Sequence, residues 1–292
     1  MSDRSSDRNL AVRNFAARNF AARNFATRNS VARLIIAITL GCGLISALPI
    51  AATAQDNVAD SAGDAVTTDA ADGPPAERPR RTYLGRIVAQ PMSHLGANWL
   101  IRDNRDQEER ATESFDRLEL KPGMTVCDLG CGNGYWSLPM AEKVAPGGRV
   151  LAVDIQRQML QKLRVRAGKA SIKNIEPILG DVDNPELPIG EVDLVLMVDV
   201  YHEFSHPESM LWHIRRSLKP TGVVALLEYR GEDPEVPIKP LHKMTKRQII
   251  KEYAANQFKL VREYNGLPWQ HLMFFARDDS PLETIQPEPF ER

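Results

Sequence analysis

The chain has 292 residues, of which 37 are Lys or Arg and 38 are Asp or Glu, so its formal net charge is -1. Hydrophobic residues make up 43% of the sequence, which is typical of an ordinary globular core in one or two domains. The balanced charge excludes a nucleic-acid-binding footprint over the chain as a whole.

The first 54 residues predict an export signal or a membrane anchor. Residues 1–33 repeat Arg-Asn-Phe-Ala three times without an acid after Asp7, and residues 34–54 carry no charge. This basic flank, apolar centre and small-residue end match a signal peptide cleaved after Ala54. An uncleaved membrane span is the stronger alternative, because a bilayer requires about 20 apolar residues; a buried core helix is the weaker one. With either a signal or a span, the arginines place the rest of the chain outside the cytoplasm, exported (periplasmic or secreted) or membrane-anchored.

Residues 55–81 are rich in Ala, Asp, Gly and Pro, and this composition predicts a disordered linker. From residue 82 to residue 292 the hydrophobic pattern alternates between strand and helix spacing, which predicts a single α/β domain.

Residues 126–136 predict a strand, a tight turn and a helix, with glycines at positions 130, 132 and 134. Glycines at alternate positions let the backbone approach a ligand and point its N–H groups at it. Asp128, two residues before the first glycine, would repel a diphosphate on the helix N-terminus and would attract a cation. S-adenosylmethionine (SAM), which has an ammonium and a sulfonium and no phosphate, therefore suits this turn better than NAD or ATP.

Cys127 and Cys131 straddle the same turn. A zinc site would need two further ligands, and the nearby sequence offers none. We therefore interpret the two cysteines as small wall residues and not as zinc ligands or a disulfide. We predict no metal site.

Two acids follow the next two predicted strands. Residues 150–154 form a buried strand that ends in Asp154, about 20 residues past the glycine turn, where a carboxylate can accept hydrogen bonds from both ribose hydroxyls of SAM or NAD. A helix N-cap is the alternative role of Asp154. Gly180 and Asp181 follow the third strand and are candidates for ligand binding. The modest alternative is that this segment only forms a turn, which Asp183 caps before Pro185.

The sequence Asp128-x-Gly130-x-Gly132-x-Gly134 resembles the first motif of the class I SAM-dependent methyltransferases. With the acids that follow it in order, the resemblance extends over residues 83–277. It implies a Rossmann-like, doubly wound, mainly parallel seven-stranded sheet. Residues 258–263 and 271–277 predict an antiparallel C-terminal hairpin, whose last strand inserts between the fifth and sixth.

The resemblance also implies the roles of the candidate cofactor residues. The three glycines of the turn would contact the methionine part through the backbone, and Asp128 would meet its ammonium directly or through water. Asp154 would bind the ribose and Asp181 the adenine amino group. Met197 and Asp199 would flank the methionine and methyl region.

The catalytic candidates follow the fourth strand, which is apolar on both faces as a central parallel strand should be. His202 is the first candidate for the general base, Glu203 for its orienter, and Tyr201 for a substrate wall or hydrogen-bond donor. The alternative is that His202 only positions the loop; His242 and His271 are weaker candidates. Adjacent side chains on a strand face opposite ways, so the pair works only if the chain has already turned.

A lid over the cofactor is predicted from the short helical lead-in before residue 106, with Asn98 and Trp99 as lining candidates. A plain core position is the alternative for Trp99. Residues 106–118 then have helical spacing.

The sequence thus favours a SAM-dependent methyltransferase acting on an unidentified, small-molecule acceptor, with membrane contact only through the N-terminal apolar segment. The alternatives are an inactive exported binding module and an NAD-linked oxidoreductase. The first alternative arises because SAM is made in the cytosol, whereas the N-terminus predicts export. No basic stripe with interleaved aromatics indicates a nucleic-acid substrate.

We predict that cells with a secretion apparatus process the full-length chain after Ala54. Fractionation followed by N-terminal sequencing should find a chain that begins at Gln55 outside the cytoplasm. A membrane-bound chain with an intact N-terminus would support the anchor instead, and an intact chain in the cytosol would contradict export.

Overall fold

The computed structural model describes residues 82–290. The predicted signal segment and linker lie outside these residues. No helix within them is both long enough and apolar enough to cross a membrane.

Seven strands form one sheet with the order β5-β4-β3-β6-β7-β9-β8, and a separate two-stranded sheet, β1-β2, precedes it. The strands are β1 (Thr82–Tyr83), β2 (Arg86–Ile87), β3 (Thr125–Leu129), β4 (Arg149–Asp154), β5 (Ile175–Leu179), β6 (Val192–Val198), β7 (Leu218–Tyr229), β8 (Phe258–Tyr264) and β9 (Gln270–Arg277). Strands β3 to β7 are mutually parallel, and β9 pairs antiparallel with both β7 and β8. The predicted doubly wound sheet, with its last strand inserted in the C-terminal hairpin, is confirmed.

Helices cover both faces of this sheet. They are α1 (Arg105–Glu109), α2 (Ala111–Arg117), α3 (Ser137–Val144), α4 (Arg157–Lys169), α5 (Pro207–Ser217) and α6 (Lys246–Ala255). Apolar side chains of α2, α3 and α4 belong to one buried cluster and those of α5 and α6 to the other. Neighbouring Phe274 and Phe275 on β9 enter different clusters, since successive strand residues point to opposite faces. Burial of such a side chain contributes about 1.5–3 kcal/mol, so both faces stabilise the sheet.

Three local predictions differ from the structure. The helical lead-in is partly the β1-β2 hairpin, whose turn includes Leu84 at φ +44°. The helix predicted over residues 106–118 is two short helices, because Arg110 between them is left-handed at φ +51°. The third prediction concerns residues 220–222, whose Pro-Thr-Gly sequence predicts a turn. They lie within β7, and the register between β6 and β7 shifts there.

The sheet topology fixes where a ligand can bind. From β3 the chain moves to β4 on one side, and later returns to β6 on the other side of β3. The carboxyl ends of β3 and β6 therefore diverge at the switch point of the sheet, which is where ligands bind in open α/β folds.

Gly134 provides a test of the packing behind the glycine turn. A Cβ there would lie 2.1 Å from Leu163 Cδ1 and 2.9 Å from Leu138 Cδ1, and its φ is +82°. Because both the space and the backbone oppose a side chain, Gly134→Ala should lower the free energy of unfolding by about 2–3 kcal/mol in urea titrations.

Gly168 is the matched control, since it lies on an exposed face of α4 and a Cβ there would meet no atom within 4 Å. Gly168→Ala should raise the free energy of unfolding by about 0.5–1 kcal/mol. Equal stability of the two variants would contradict this account of Gly134.

Candidate active site

A cavity of about 710 Å³ opens at the carboxyl ends of β3, β4 and β6. Three kinds of wall enclose it: the glycine turn after β3, a set of carboxylates beside β4 and β6, and two histidines near β7. The segment before α1 contributes Met92 and Trp99 from above. The volume falls within the usual range for small-molecule sites.

Gly130 and Gly132 line this cavity at φ +75° and +52°. Neither position has room for a side chain. An added Cβ would lie 2.6 Å from Val200 Cγ2 at Gly130 and 2.6 Å from Leu100 Cδ1 at Gly132. Bulk at either position would displace the cavity wall.

Three N–H groups of the turn, which the glycine pattern leads us to expect at a ligand, donate to β4 in the structure. The N–H groups of Gly130 and Cys131 both donate to the carbonyl of Val153 at 2.9 Å. The N–H of Gly132 donates to Asp154 Oδ2, also at 2.9 Å. These three donors are committed to β4, so they do not form an anion-binding row for a diphosphate.

Asp154 and Asp181, predicted for the ribose and the adenine, lie on the same cavity wall. Asp154 ends β4 and is 7% exposed; besides Gly132, the N–H of Gln156 donates to its Oδ1 at 2.8 Å. Burial raises the pKa of Asp154, and the two backbone hydrogen bonds oppose that rise. Asp181 is exposed, and the N–H of Val182 donates to its Oδ1 at 2.7 Å.

Asp199, predicted near the methyl region, also lines the cavity and adopts a left-handed φ of +52°. Gln270 Nε2 donates to both of its carboxylate oxygens, at 3.0 and 2.8 Å. Burial raises the pKa of Asp199 well above its ordinary value, and the nearby carboxylates of Glu109 and Glu228 add to the rise.

Arg105 is a cavity residue that sequence reasoning missed. Its guanidinium is buried, donates to Glu109 Oε2 at 2.8 Å and to the carbonyl of Leu100 at 2.8 Å, and stacks 4.3 Å from the ring centre of Tyr135. Arg105 precedes all seven strands of the sheet in sequence, and only the fold brings it to the carboxyl ends of those strands.

Asp128, Gly134 and Met197 do not lie on the cavity wall. Asp128 is 3% exposed beneath the turn, where the Ser137 hydroxyl donates to its Oδ2, and burial raises its pKa to about 7. Met197 is fully buried in a core cluster, and Leu163 occupies the space beside Gly134. The contacts with a ligand that were predicted for these three residues stay predictions.

His202 lies in a 3₁₀ turn, Tyr201–Glu203, and is 2% exposed. Its Nδ1 is 2.7 Å from Glu228 Oε2, and its Nε2 is 3.0 Å from His242 Nδ1. Burial on its own would lower the pKa of His202, but the adjacent Glu228 carboxylate outweighs it and the pKa is raised. His202, Glu203 and His242 all line the cavity.

Glu228, and not the predicted Glu203, orients His202. Because the 3₁₀ turn curls the chain, the adjacent His202 and Glu203 reach the same cavity, as their pairing required. Glu203 Oε1 is 3.9 Å from both His202 Nε2 and His242 Nδ1, which is beyond hydrogen-bond distance. Burial raises the pKa of Glu203 to about 7.

Tyr201 and His271 lie away from the cavity wall. Tyr201 is fully buried, donates its hydroxyl hydrogen to Glu252 Oε2 at 2.9 Å and packs on Tyr253. His271 Nε2 is 2.8 Å from Glu232 Oε2. The geometry makes Tyr201 a core residue under the turn, since its ring faces α6 and not the cavity.

The segment before α1 covers the cavity as the predicted lid. The N–H of Met92 donates to Glu203 Oε1 at 3.2 Å, and the N–H of His94 donates to Gln156 Oε1 at 2.8 Å. Trp99 lines the cavity, is 41% exposed and carries the guanidinium of Arg102 4.0 Å from its ring centre. Trp99 is therefore not a core residue, and the adjacent Asn98 is not on the wall.

Glu228 and His242 are two further candidate functional residues. The sequence did not indicate Glu228 and indicated His242 only as a weaker candidate. Glu228 stands near the carboxyl end of β7, and an acid there is a signal that could have identified it. His242 comes from the short 3₁₀ helix Pro240–His242, where neither spacing nor periodicity distinguishes it.

Comparison with known proteins is consistent with this geometry. Residues 120–272 match the family model described as "Methyltransferase domain". The chain is similar to nocamycin O-methyltransferase of Saccharothrix syringae, at 30% identity over 40% of this chain and 41% of that protein. It is also similar to demethylmenaquinone methyltransferase of Listeria welshimeri, at 26% identity over 53% of this chain and 65% of that one. The chain thus spans less than two thirds of the length of these curated relatives.

Among solved structures, a SAM-dependent methyltransferase from Aquifex aeolicus shares the fold with a TM-score of 0.60 and 22% identity, over 63% of this chain and 98% of that one. The family match covers more than half of the 292 residues and includes the glycine turn, the carboxylates of the cavity and the histidine turn. The chain belongs to the class I SAM-dependent methyltransferases, whose cofactor is S-adenosylmethionine.

Proposed function

We propose that this protein transfers a methyl group from SAM to an oxygen of a small-molecule acceptor bound in the same cavity. One observation carries the proposal: a single cavity is lined both by the predicted cofactor carboxylates and by the oriented His202. The rest of the cavity lining is largely apolar, which suits a reaction that needs a dry site.

The residues of the cavity fit SAM. Asp154 would hold the ribose, Asp181 the adenine and Asp199 the positively charged part of the methionine. The buried Arg105 would meet the methionine carboxylate, a group that the sequence analysis left without a partner. A dinucleotide fits poorly, because the N–H groups that would bind its diphosphate already donate to β4.

When bound, SAM supplies an electrophilic methyl group on a sulfonium. The protein's part is to align the acceptor with that methyl group and to exclude water. Leu100 and Trp99 of the lid and Val198 at the end of β6 provide apolar wall for this purpose. Because Met92 hydrogen-bonds Glu203, the lid also contacts the acceptor side directly.

The acceptor would meet the cluster of His202, Glu203 and His242. A hydroxyl acceptor must lose its proton before or during methyl transfer. A buried imidazole oriented by Glu228 is suited to accept that proton as a general base. The similarity to an O-methyltransferase supports oxygen as the acceptor atom. The cavity volume supports a small molecule, and the balanced charge of the chain supports no nucleic-acid partner.

Export of this enzyme is a further part of the proposal, supported by the charge pattern of residues 1–54. Membrane contact would then come only from the apolar residues 34–54. An exported enzyme requires a supply of SAM outside the cytosol, so the location of the chain and its activity should be measured together.

Asp154→Ala should weaken binding of S-adenosylhomocysteine by about 10- to 100-fold, because both ribose hydroxyls lose a charged acceptor. Isothermal titration calorimetry measures this effect. Asp116→Ala, on the exposed side of α2, is the control and should bind like the unmodified protein. If neither S-adenosylhomocysteine nor SAM binds the unmodified protein, the proposed function is wrong.

His202→Ala should slow single-turnover methylation by about 100-fold while S-adenosylhomocysteine binds as before, because His202 faces the acceptor and not the nucleoside. The assay follows formation of S-adenosylhomocysteine with a panel of small phenols, enols and alcohols, using any acceptor that the unmodified enzyme methylates. His213→Ala, on α5 beside a separate groove, is the control. An unchanged rate for His202→Ala would remove His202 from the acceptor site.

A further inference from the structure

In contrast to the sequence-based prediction of no metal site, we propose that His202, Glu203 and His242 form a binding site for one divalent transition-metal ion, and we take Zn²⁺ as the ion to test. The site lies at the acceptor end of the cavity, and metal binding itself is independent of methyl transfer. Only the ion's role toward the acceptor rests on the proposed function.

The three potential ligand atoms are close to the separations that a metal ion requires. His202 Nε2 and His242 Nδ1 are 3.0 Å apart, and Glu203 Oε1 is 3.9 Å from each. Bonds of about 2.0–2.2 Å in a tetrahedral site place ligand atoms roughly 3.3 Å apart. The observed distances lie on either side of that value, so shifts of less than about 1 Å would complete the coordination.

His202 is arranged as a metal-ligating histidine. A carboxylate accepts hydrogen bonds, so Glu228 Oε2 at 2.7 Å fixes the hydrogen of the neutral ring on Nδ1 and leaves a lone pair on Nε2. Histidine ligands characteristically donate their other N–H to a carboxylate in this way. Arg86 Nη1 and the N–H of Ala89 both donate to the His202 carbonyl, at 2.9 and 3.1 Å, and hold the turn in place.

Charge supports the same conclusion. Glu203 has 14% of its side chain exposed, and within residues 82–290 its ion-pair partners are the two imidazoles. Imidazoles supply a full positive charge only when protonated, whereas a divalent ion would compensate the carboxylate directly. His242 is 32% exposed on a short 3₁₀ helix, so the third ligand can adjust as an ion enters.

The donor set selects the kind of ion. Two imidazoles and one carboxylate suit Zn²⁺, Fe²⁺, Co²⁺ and related ions, whereas Mg²⁺ and Ca²⁺ prefer oxygen ligands throughout. Three protein ligands also leave a coordination position open, which is the usual arrangement of catalytic zinc sites. All three residues line the cavity, so the open position would be accessible from it.

The ion would change the role of His202 in the proposed reaction. Its Nε2 would be a ligand and not a proton acceptor, and the ion would bind the hydroxyl oxygen of the acceptor and lower the pKa of that hydroxyl. The O–H bond would break as the acceptor binds, and the proton would leave to solvent before the lid excludes water. The electron pair on oxygen would then form the bond to the methyl carbon, while the pair of the carbon–sulfur bond leaves on sulfur. The acceptor class is therefore a hydroxyl compound that can ligate a metal, such as a phenol or enol.

The test is Zn²⁺ titration of the full-length protein after removal of metal with EDTA, followed by calorimetry and metal analysis. The chain has six histidines, so adventitious binding must be separated from this site. We expect one ion per chain, with at least 10-fold weaker binding for His242→Ala and for Glu203→Gln. The amide oxygen of the second variant can still accept from the N–H of Met92, which preserves the lid contact. His213→Ala is the control and should bind Zn²⁺ like the unmodified protein.

Co²⁺ absorption spectra and S-adenosylhomocysteine binding provide the second readouts. A Co²⁺ ligand-field band that His242→Ala abolishes would support imidazole coordination at this site. Equal Zn²⁺ affinity in the unmodified protein and both variants would overturn the metal proposal, as would absence of Zn²⁺ binding in protein that binds S-adenosylhomocysteine. If the protein binds Zn²⁺ as expected but binds neither SAM nor S-adenosylhomocysteine, the proposed methyltransferase function is wrong and the metal site is still supported.

Discussion

The hydrogen bond between Glu228 and His202 is the interaction on which the acceptor end of the cavity depends. Glu228 is fully buried near the end of β7, and its Oε1 also accepts from the N–H of His202 at 3.2 Å. One carboxylate thereby fixes both the backbone and the ring of the turn after β6. A buried charge of this kind is costly unless its partners are well placed, so the two strands and the turn must keep their relative positions.

The glycine turn presents a different surface to the cavity from that of a phosphate-binding loop. Its N–H groups donate to β4, and its glycines make room for Leu100 and Val200. The cavity is consequently lined by carboxylates and a buried guanidinium instead of a row of backbone donors. In the function that we propose, this lining would favour the cationic part of SAM over a diphosphate.

The lid joins the two ends of the cavity. It contacts the end of β4 through Gln156, whose Nε2 donates to the carbonyl of Met92 at 2.9 Å, and it contacts the histidine turn through Glu203. Because one short segment makes both contacts, opening it for ligand exchange would disturb both sides together. Enzymes that must exclude water commonly couple closure to the assembly of the site in this manner.

The sequence by itself determined the alternation of strands and helices, the glycine turn, and the acids Asp154 and Asp181 at the strand ends, because these depend on local periodicity and on short fixed spacings. The order of the strands in the sheet was implied only by the resemblance to the methyltransferase family. It could not identify Glu228 as the partner of His202, bring His242 beside them, or place Arg105 in the wall, because those contacts join residues that are tens of positions apart. It also could not show that Asp128 and Met197 face the interior, since a strand pattern that is apolar on both sides does not tell which face or depth a residue occupies. Only the packing of α1, the lid and the loops over the sheet decided which polar groups share one cavity.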